Sequence, residues 1–347
     1  MISGIQQIGI GVADAAEAFT WYRQYFGMDI LLFDDIAEAS LMKHYTGGQA
    51  HQRRAILALN LKGGAGLEIW QFKDRMPQAA PSIILGDTGI SSAKIKSADV
   101  HTSFQSLKSK KIELLTEITK TPDGKEHFFV RDPYQNIFEI IEDDDWFSSN
   151  HFHLGGSVGC TIGVTDINRS KKFYQDVLGY DQIVYDEENY FDDLANLPGG
   201  KNKVRRVLLK HSSKREGTFS QLLGNSQIEL IQVMDRMPKK IFADRYWGDL
   251  GFIHLCFDVH NMSKLKEKCD LHGHPFTTDS SSSFSMSEAA GHFSYIEDPD
   301  GTLIEFIETH RIPVIKKIGW YLNLKKRNLK KPLPIWMLKS LRFNRVK

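Results

Sequence analysis

Two hydrophobic rhythms alternate along the chain. Runs in which every second position is apolar, such as "QQIGIGV" ending at Val12 and "GFIHLCFDV" ending at Val259, predict strands, because strand side chains point to opposite faces with a period of two. Stretches with apolar residues three and four apart, Ala16 to Phe26 and Asn168 to Leu178 among them, predict amphipathic helices. Further strand-like runs follow each helix, for example "RRAILALNL", "RRVLLKH" and "HFFVRD". The resulting order is strand, helix, three strands, and it occurs four times, over roughly residues 1–75, 86–145, 153–236 and 248–310.

The repetition is visible in the residues themselves. "IGIGVADAAEAFTWYRQYFGMD" from Ile8 parallels "CTIGVTDINRSKKFYQDVLGYD" from Cys160, and Gly47-Gly48 and Arg53-Arg54 recur as Gly199-Gly200 and Arg205-Arg206. "DRMP" at Asp74 recurs at Asp235, and "GDTGI" at Gly86 recurs as "GDLGF" at Gly248. The chain is therefore a duplication, and each half contains two modules of the same plan. We expect one domain over 1–147 from modules one and two and another over 148–310 from modules three and four.

Each module closes on a short apolar run with a glutamate at its centre: "GLEIWQF" with Glu68, "NIFEIIED" with Glu139, "QIELIQV" with Glu229 and "TLIEFIE" with Glu305. A carboxylate at one strand position in every unit points to a repeated fold with a place for a metal. The plainer reading is a solvent-facing glutamate on a half-buried sheet, and it is the reading preferred for Glu139 and Glu229.

The modules with "DPDGTLIEF" (Asp298 to Phe306) and its relative "DPYQNIFEI" (Asp132 to Ile140) resemble the vicinal oxygen chelate superfamily of glyoxalase I, bleomycin resistance proteins and extradiol dioxygenases. The resemblance covers residues 1–310 and implies an α+β fold: four βαβββ modules forming two glyoxalase-like domains with curved, barrel-like mixed sheets. It also implies one divalent metal between two paired modules. Each module can give one ligand from its first strand, five residues before the closing valine, and one from its last. That rule selects Gln7 and His254, and places Ser92 and Gly159 at the matching positions of modules two and three. Only the pairing of module one with module four then completes a set, Gln7, Glu68, His254 and Glu305, similar to that of glyoxalase I.

One imidazole, one amide oxygen and two carboxylates suit Zn, Ni, Co, Mn or Fe(II). The resemblance implies a metal-dependent glyoxalase-like lyase or isomerase that performs enediolate-type proton transfer on a small oxygen-chelating substrate, with Glu305 as the catalytic base and Glu68 opposite it. Two other readings stay open: an Fe(II)-dependent extradiol-type dioxygenase, and a non-catalytic small-molecule-binding protein of the bleomycin-resistance type. The positions that serve glutathione in glyoxalase I hold Gly11 and Phe72 here. The twin arginines Arg53, Arg54, Arg205 and Arg206 are expected to be paired or solvated, with substrate contact as the lesser reading. "DRMP" reads as a structural turn, and His101, His127 and His260 show no partners that suggest chemistry.

Charge separates the last stretch from the rest. Twelve of the 44 basic residues and none of the 43 acidic ones lie in 311–347, so 32 basic residues face all 43 acids in the remainder. The lysines and arginines alternate with Trp320, Leu324, Ile335, Trp336 and Phe343, a mixture typical of interfacial helices. We expect a basic amphipathic C-terminal tail of two short helices broken at Pro332 and Pro334, which either binds an anionic membrane surface or folds back on the acidic body. Nucleic acid is a poorer partner, because the body has no second basic face. Three cysteines without a CxxC pair, no apolar run of membrane-spanning length and no signal peptide predict a cytoplasmic protein, with a peripheral place at the inner membrane surface as the variant.

Overall fold

The computed structural model describes residues 1–347 apart from 80–81, 150–151, 281–283, 287–288, 316–318, 325–326 and 347. Each module opens with a strand that is buried along nearly its whole length, then turns into a helix: Ala15–Phe26, Val100–Ser109, Ile167–Asp176 and Met262–Leu271. The turn is made the same way four times. Asp14, Asp99, Asp166 and Asn261 sit just before the helices, and their side chains accept hydrogen bonds from free N–H groups of the first turn.

Modules one and four, with one strand from the C-terminal segment, build a mixed sheet of ten strands. At its centre Ile2–Gly11 and Gly251–Val259 run antiparallel, and each is flanked in parallel by its own module's last strand, Gly66–Phe72 or Leu303–Ile315. Modules two and three build a nine-stranded sheet on the same plan, with Gly89–Ser97 against Leu154–Gly163 at the centre and Ile137–Glu142 and Gln227–Val233 beside them. Each curled sheet thus takes one module from each half of the duplicated chain.

The repeated motifs fasten these pairings. Arg75 of the first "DRMP" donates to Asp249 of "GDLGF" at 2.7 Å, and the Gln78 N–H donates to the same carboxylate oxygen at 2.8 Å. In the other sheet Arg236 and the Lys239 N–H donate to Asp87 of "GDTGI" at 2.6 and 2.9 Å. Each turn motif therefore clamps the module it shares a sheet with.

Strand alternation divides the interior. Leu67 and Ile69 point into a core that joins both sheets to helix residues such as Tyr22, Phe104, Phe173 and Leu265. Trp70 and Phe72 point the other way, into a second cluster on the opposite face of the ten-stranded sheet, and Glu68 shares their face.

The C-terminal segment belongs to that second cluster. The last strand of module four continues to Ile315 and pairs antiparallel with Trp320–Asn323, so the first of the two expected helices is a strand instead. Its alternating "HRIPVI" run extends an existing edge, which supplies backbone partners that an isolated short helix lacks. Beyond Pro334 the expected helix forms at Ile335–Lys339 and tightens into a 3-10 turn, Ser340–Asn344. Leu324, Leu333, Leu338 and Leu341 are buried against the body. Ile318, an apolar residue of the same segment, lies outside the described residues. Among the described residues no helix is long and apolar enough to cross a membrane.

Candidate metal centre

The sheet of modules one and four brings Gln7, Glu68, His254 and Glu305 to one spot. One ligand atom each from Glu68, His254 and Glu305 lies within 4.8 Å of the others, and all three residues are buried. His254 Nε2 is 3.2 Å from Glu68 Oε2 and 3.2 Å from Glu305 Oε2, yet it makes no directed hydrogen bond to either. Gln7 Nε2 is 3.5 Å from each of the same two carboxylate oxygens, while its Oε1 is buried without a partner. An amide rotated by half a turn would present that oxygen to a cation between the carboxylates.

Packing fixes these groups. Gly9 stands opposite His254 across the central strand pair and beside Glu68, and a Cβ built at Gly9 would fall 2.4 Å from the imidazole ring. The bare backbone is what admits the ring. Trp247 stacks on His254 at 17° between planes, and Tyr295 stands edge-on to it. The Tyr295 hydroxyl donates to Glu305 Oε1 at 2.8 Å.

Electrostatics follow from this crowding. Burial alone would lower the His254 pKa, but the Glu305 and Glu68 carboxylates outweigh it and hold the imidazolium up to about 9. Burial would likewise raise Glu305, and the positive charge of His254, helped by the Tyr295 hydroxyl, brings it below the usual carboxylate range instead. Two close carboxylates sharing one imidazolium, with an orphaned amide oxygen beside them, are a donor set that fits a divalent ion in place of the imidazolium's proton.

In the nine-stranded sheet the same positions are balanced by charges of the protein itself. Glu139 and Glu229 are fully buried there, which corrects their reading as solvent-facing sheet residues. Lys94 lies between them, bonded to Glu139 and 2.7 Å from Glu229 Oε2. Lys94 sits opposite Glu139 as Cys256 sits opposite Glu305, so an ammonium replaces a thiol at one register position. Arg206 is bonded to Glu229 and reaches Asp193 at 2.6 Å, and His127 joins Glu139 at 2.8 Å to Asp193 at 3.2 Å. His127 therefore has charged partners after all, in a network closed on itself. Ser92 and Gly159 contribute no ligand among them.

The arginines are paired as expected. Arg53 donates to the Asp35 carbonyl and carboxylate at 2.9 and 3.1 Å, Arg54 to Asp34 at 2.7 Å and Arg205 to Asp186 at 2.8 Å. Tyr295, Trp247 and Gly9 were not singled out from the sequence. Gly9, inside the strand pattern "IGIGV", carries the one local signal, since a glycine within a strand marks close approach.

A duplicated chain of paired βαβββ modules around one carboxylate-rich centre defines a class of fold. The chain belongs to the Glyoxalase/Bleomycin resistance protein/Dioxygenase superfamily, whose family model matches residues 4–140 and 153–306. Members of this superfamily bind divalent metals and small-molecule substrates. No curated protein matches the sequence. Among solved structures, glyoxalase I from Zea mays is similar at TM-score 0.54 and 15% identity, covering 88% of this chain and 92% of that one. A mutant of the same enzyme gives 0.58 and 15%, covering 88% and 93%. A protein from Bacillus subtilis subsp. subtilis str. 168, provisionally named a dioxygenase, gives 0.56 and 14%, covering 88% and 85%. At these identities the likeness shows the fold.

Proposed function

We propose that the protein is a divalent-metal-dependent lyase or isomerase of the glyoxalase type, with Gln7, Glu68, His254 and Glu305 as the ligands. The observation that carries this reading is the contrast between the sheets: Glu139 and Glu229 have a lysine between them, whereas Glu68 and Glu305 have an imidazole, an orphaned amide oxygen and an adjoining cavity. A bound ion would supply Lewis acidity to a vicinal oxygen pair. Glu305, oriented by Tyr295, would take the proton from the carbon beside that pair, and Glu68 on the opposite side would return one to the neighbouring carbon. Trp70, Trp247 and Tyr295 would keep bulk water from the exchange.

Metal analysis tests this directly. One ion per chain is expected, lost in His254→Ala and kept in Glu139→Gln. Turnover of an α-hydroxy carbonyl substrate without dioxygen, with Zn, Ni, Co or Mn, would support proton transfer. A strict need for Fe(II) and dioxygen would move the chain to the dioxygenases, and a protein that binds small molecules without metal would place it with the sequestering proteins.

A weak association of the tail with anionic membranes is a second proposal. It is supported by Ile335, Trp336 and Phe343, all exposed, beside the exposed Lys339 and Arg342.

A further inference from the structure

A cavity of about 290 Å³ adjoins the carboxylates of Glu68 and Glu305. Its walls come from three places in the chain. Leu32 and Phe33 belong to module one, Phe293 to module four, and Ile312 and Leu341 to the C-terminal segment, in its first strand residues and its 3-10 turn. Leu341 is buried together with Leu338 and Leu333, in the same cluster as Phe33 and Trp70. The turn is tied down just beyond it, where Arg345 pairs with Asp29 at 2.8 Å and the Val346 N–H donates to the Asp29 carbonyl at 2.9 Å. The C-terminal segment is thus a fixed wall of the cavity.

Acids predominate along the cavity. The acids along it are Glu38, Glu68 and Glu305, and the basic residue that lines it, Arg53, is buried and committed to Asp35. A substrate that brought a carboxylate or phosphate into this space would set it against leucines, phenylalanines and carboxylates. Burying an anion without a partner is strongly unfavourable. An apolar body gains affinity instead, with every methylene removed from water.

Resting on the metal-dependent reading above, we infer that the substrate is a neutral molecule with a vicinal oxygen pair at one end and an alkyl or aryl body. Leu341 of the C-terminal segment is a specificity-determining residue for that body. Substrates conjugated to charged carriers such as glutathione are excluded by the same wall.

Hydroxamates, which present two oxygens on an adjustable tail, are suitable probes. Calorimetric titration of the Zn-loaded full chain should show octanohydroxamate binding about a hundredfold tighter than acetohydroxamate, the order expected from burying several methylenes. A carboxylate at the far end of the octanoyl chain should lose most of that gain. Leu341→Ala should reduce the octanoyl advantage severalfold and Leu341→Asp should abolish it, with acetohydroxamate affinity changed less than about twofold. Thermal melts of both variants identify any loss that reflects unfolding, and Leu341→Met, which preserves volume, should restore the advantage. Equal affinity for the short and long probes, preference for the carboxylated probe, or an octanoyl advantage untouched at position 341 would overturn the inference. The metal reading fails separately, by an absence of bound Zn. In that event quenching of the cavity tryptophans Trp70 and Trp247 by n-octanol-linked bromide still reports the apolar selection in the metal-free protein, and a response independent of Leu341 would overturn it there too.

Discussion

At the scale of single residues, the two sheets form an internal comparison. Both hold a pair of buried glutamates at equivalent strand positions, and they differ in how the charge is balanced. Lys94, Arg206 and His127 satisfy Glu139 and Glu229 within the protein. Glu229 is held well below the usual carboxylate range: burial opposes this, and Arg206 and Lys94 outweigh it. Removing one member leaves the others buried and unpaired, so Glu229→Ala should lower stability by ~3–5 kcal/mol while metal content stays at the wild-type level. Chemical denaturation and metal analysis of the same preparation measure both. Loss of metal at unchanged stability would show that the ion sits in the wrong sheet. In the other sheet the sensitive neighbour is Gly9, because a methyl there meets the His254 ring. Gly9→Ala should weaken metal binding at least about tenfold, since a ligand displaced by a few tenths of an ångström is poorly aimed. Unaltered affinity would mean that the ring has room to turn.

At the scale of elements, the central strands carry a buried acid whose titration should be visible in stability. Asp258 lies in Gly251–Val259 opposite Gly4, and burial pushes its carboxyl up to about 8, with the Ser3 hydroxyl opposing the shift and Glu308 adding to it. In the unfolded chain an aspartate titrates near ~3.9. Between those values the folded protein keeps a proton that the unfolded chain has released, so this group's contribution falls as pH rises from ~4 to ~8. Asp258→Asn removes that dependence. The variant should gain more over wild type at pH 8 than at pH 5, by on the order of 3–4 kcal/mol, in urea denaturation at the two pH values. An equal gain at both would exclude Asp258 as the source.

How much of this was legible in the sequence also divides by element. The four strand-helix openings were, because period and capping residues such as Asp14 and Asp166 are local. Gln7, Glu68, His254 and Glu305 were identified by register and resemblance, and the sheet brings them together. Lys94 between two glutamates and the "DRMP" clamps were not, since each depends on which modules share a sheet. The Trp320–Asn323 strand was hidden for a related reason: its partner is an edge created by module four, and charge dominated the local pattern.

At the scale of the whole molecule, charge is distributed against itself. The tail from Arg311 carries twelve basic residues and no acids, and the remainder has 43 acids against 32 bases. Part of that attraction is used internally, as in the Arg345–Asp29 pair, and the leucines of the tail complete the second core cluster. Ile335, Trp336 and Phe343 remain 50%, 60% and 52% exposed. A membrane that met this side would gain their burial together with attraction of about 1 kcal/mol for each nearby lysine or arginine, screened over a Debye length of ~8 Å at physiological salt. The acidic body would be repelled, so only the tail face can approach. Vesicles containing phosphatidylserine should therefore pellet the protein at low salt and release it as salt rises. The double variant Trp336→Ser, Phe343→Ser should pellet severalfold less with an unchanged melting temperature, because those side chains support no core. Deletion of 333–347 should reduce both pelleting and melting temperature, because it removes Leu333, Leu338 and Leu341 from the interior. Wild-type pelleting by the double variant, or pelleting indifferent to salt, would leave the tail as a wall of the cavity and nothing more.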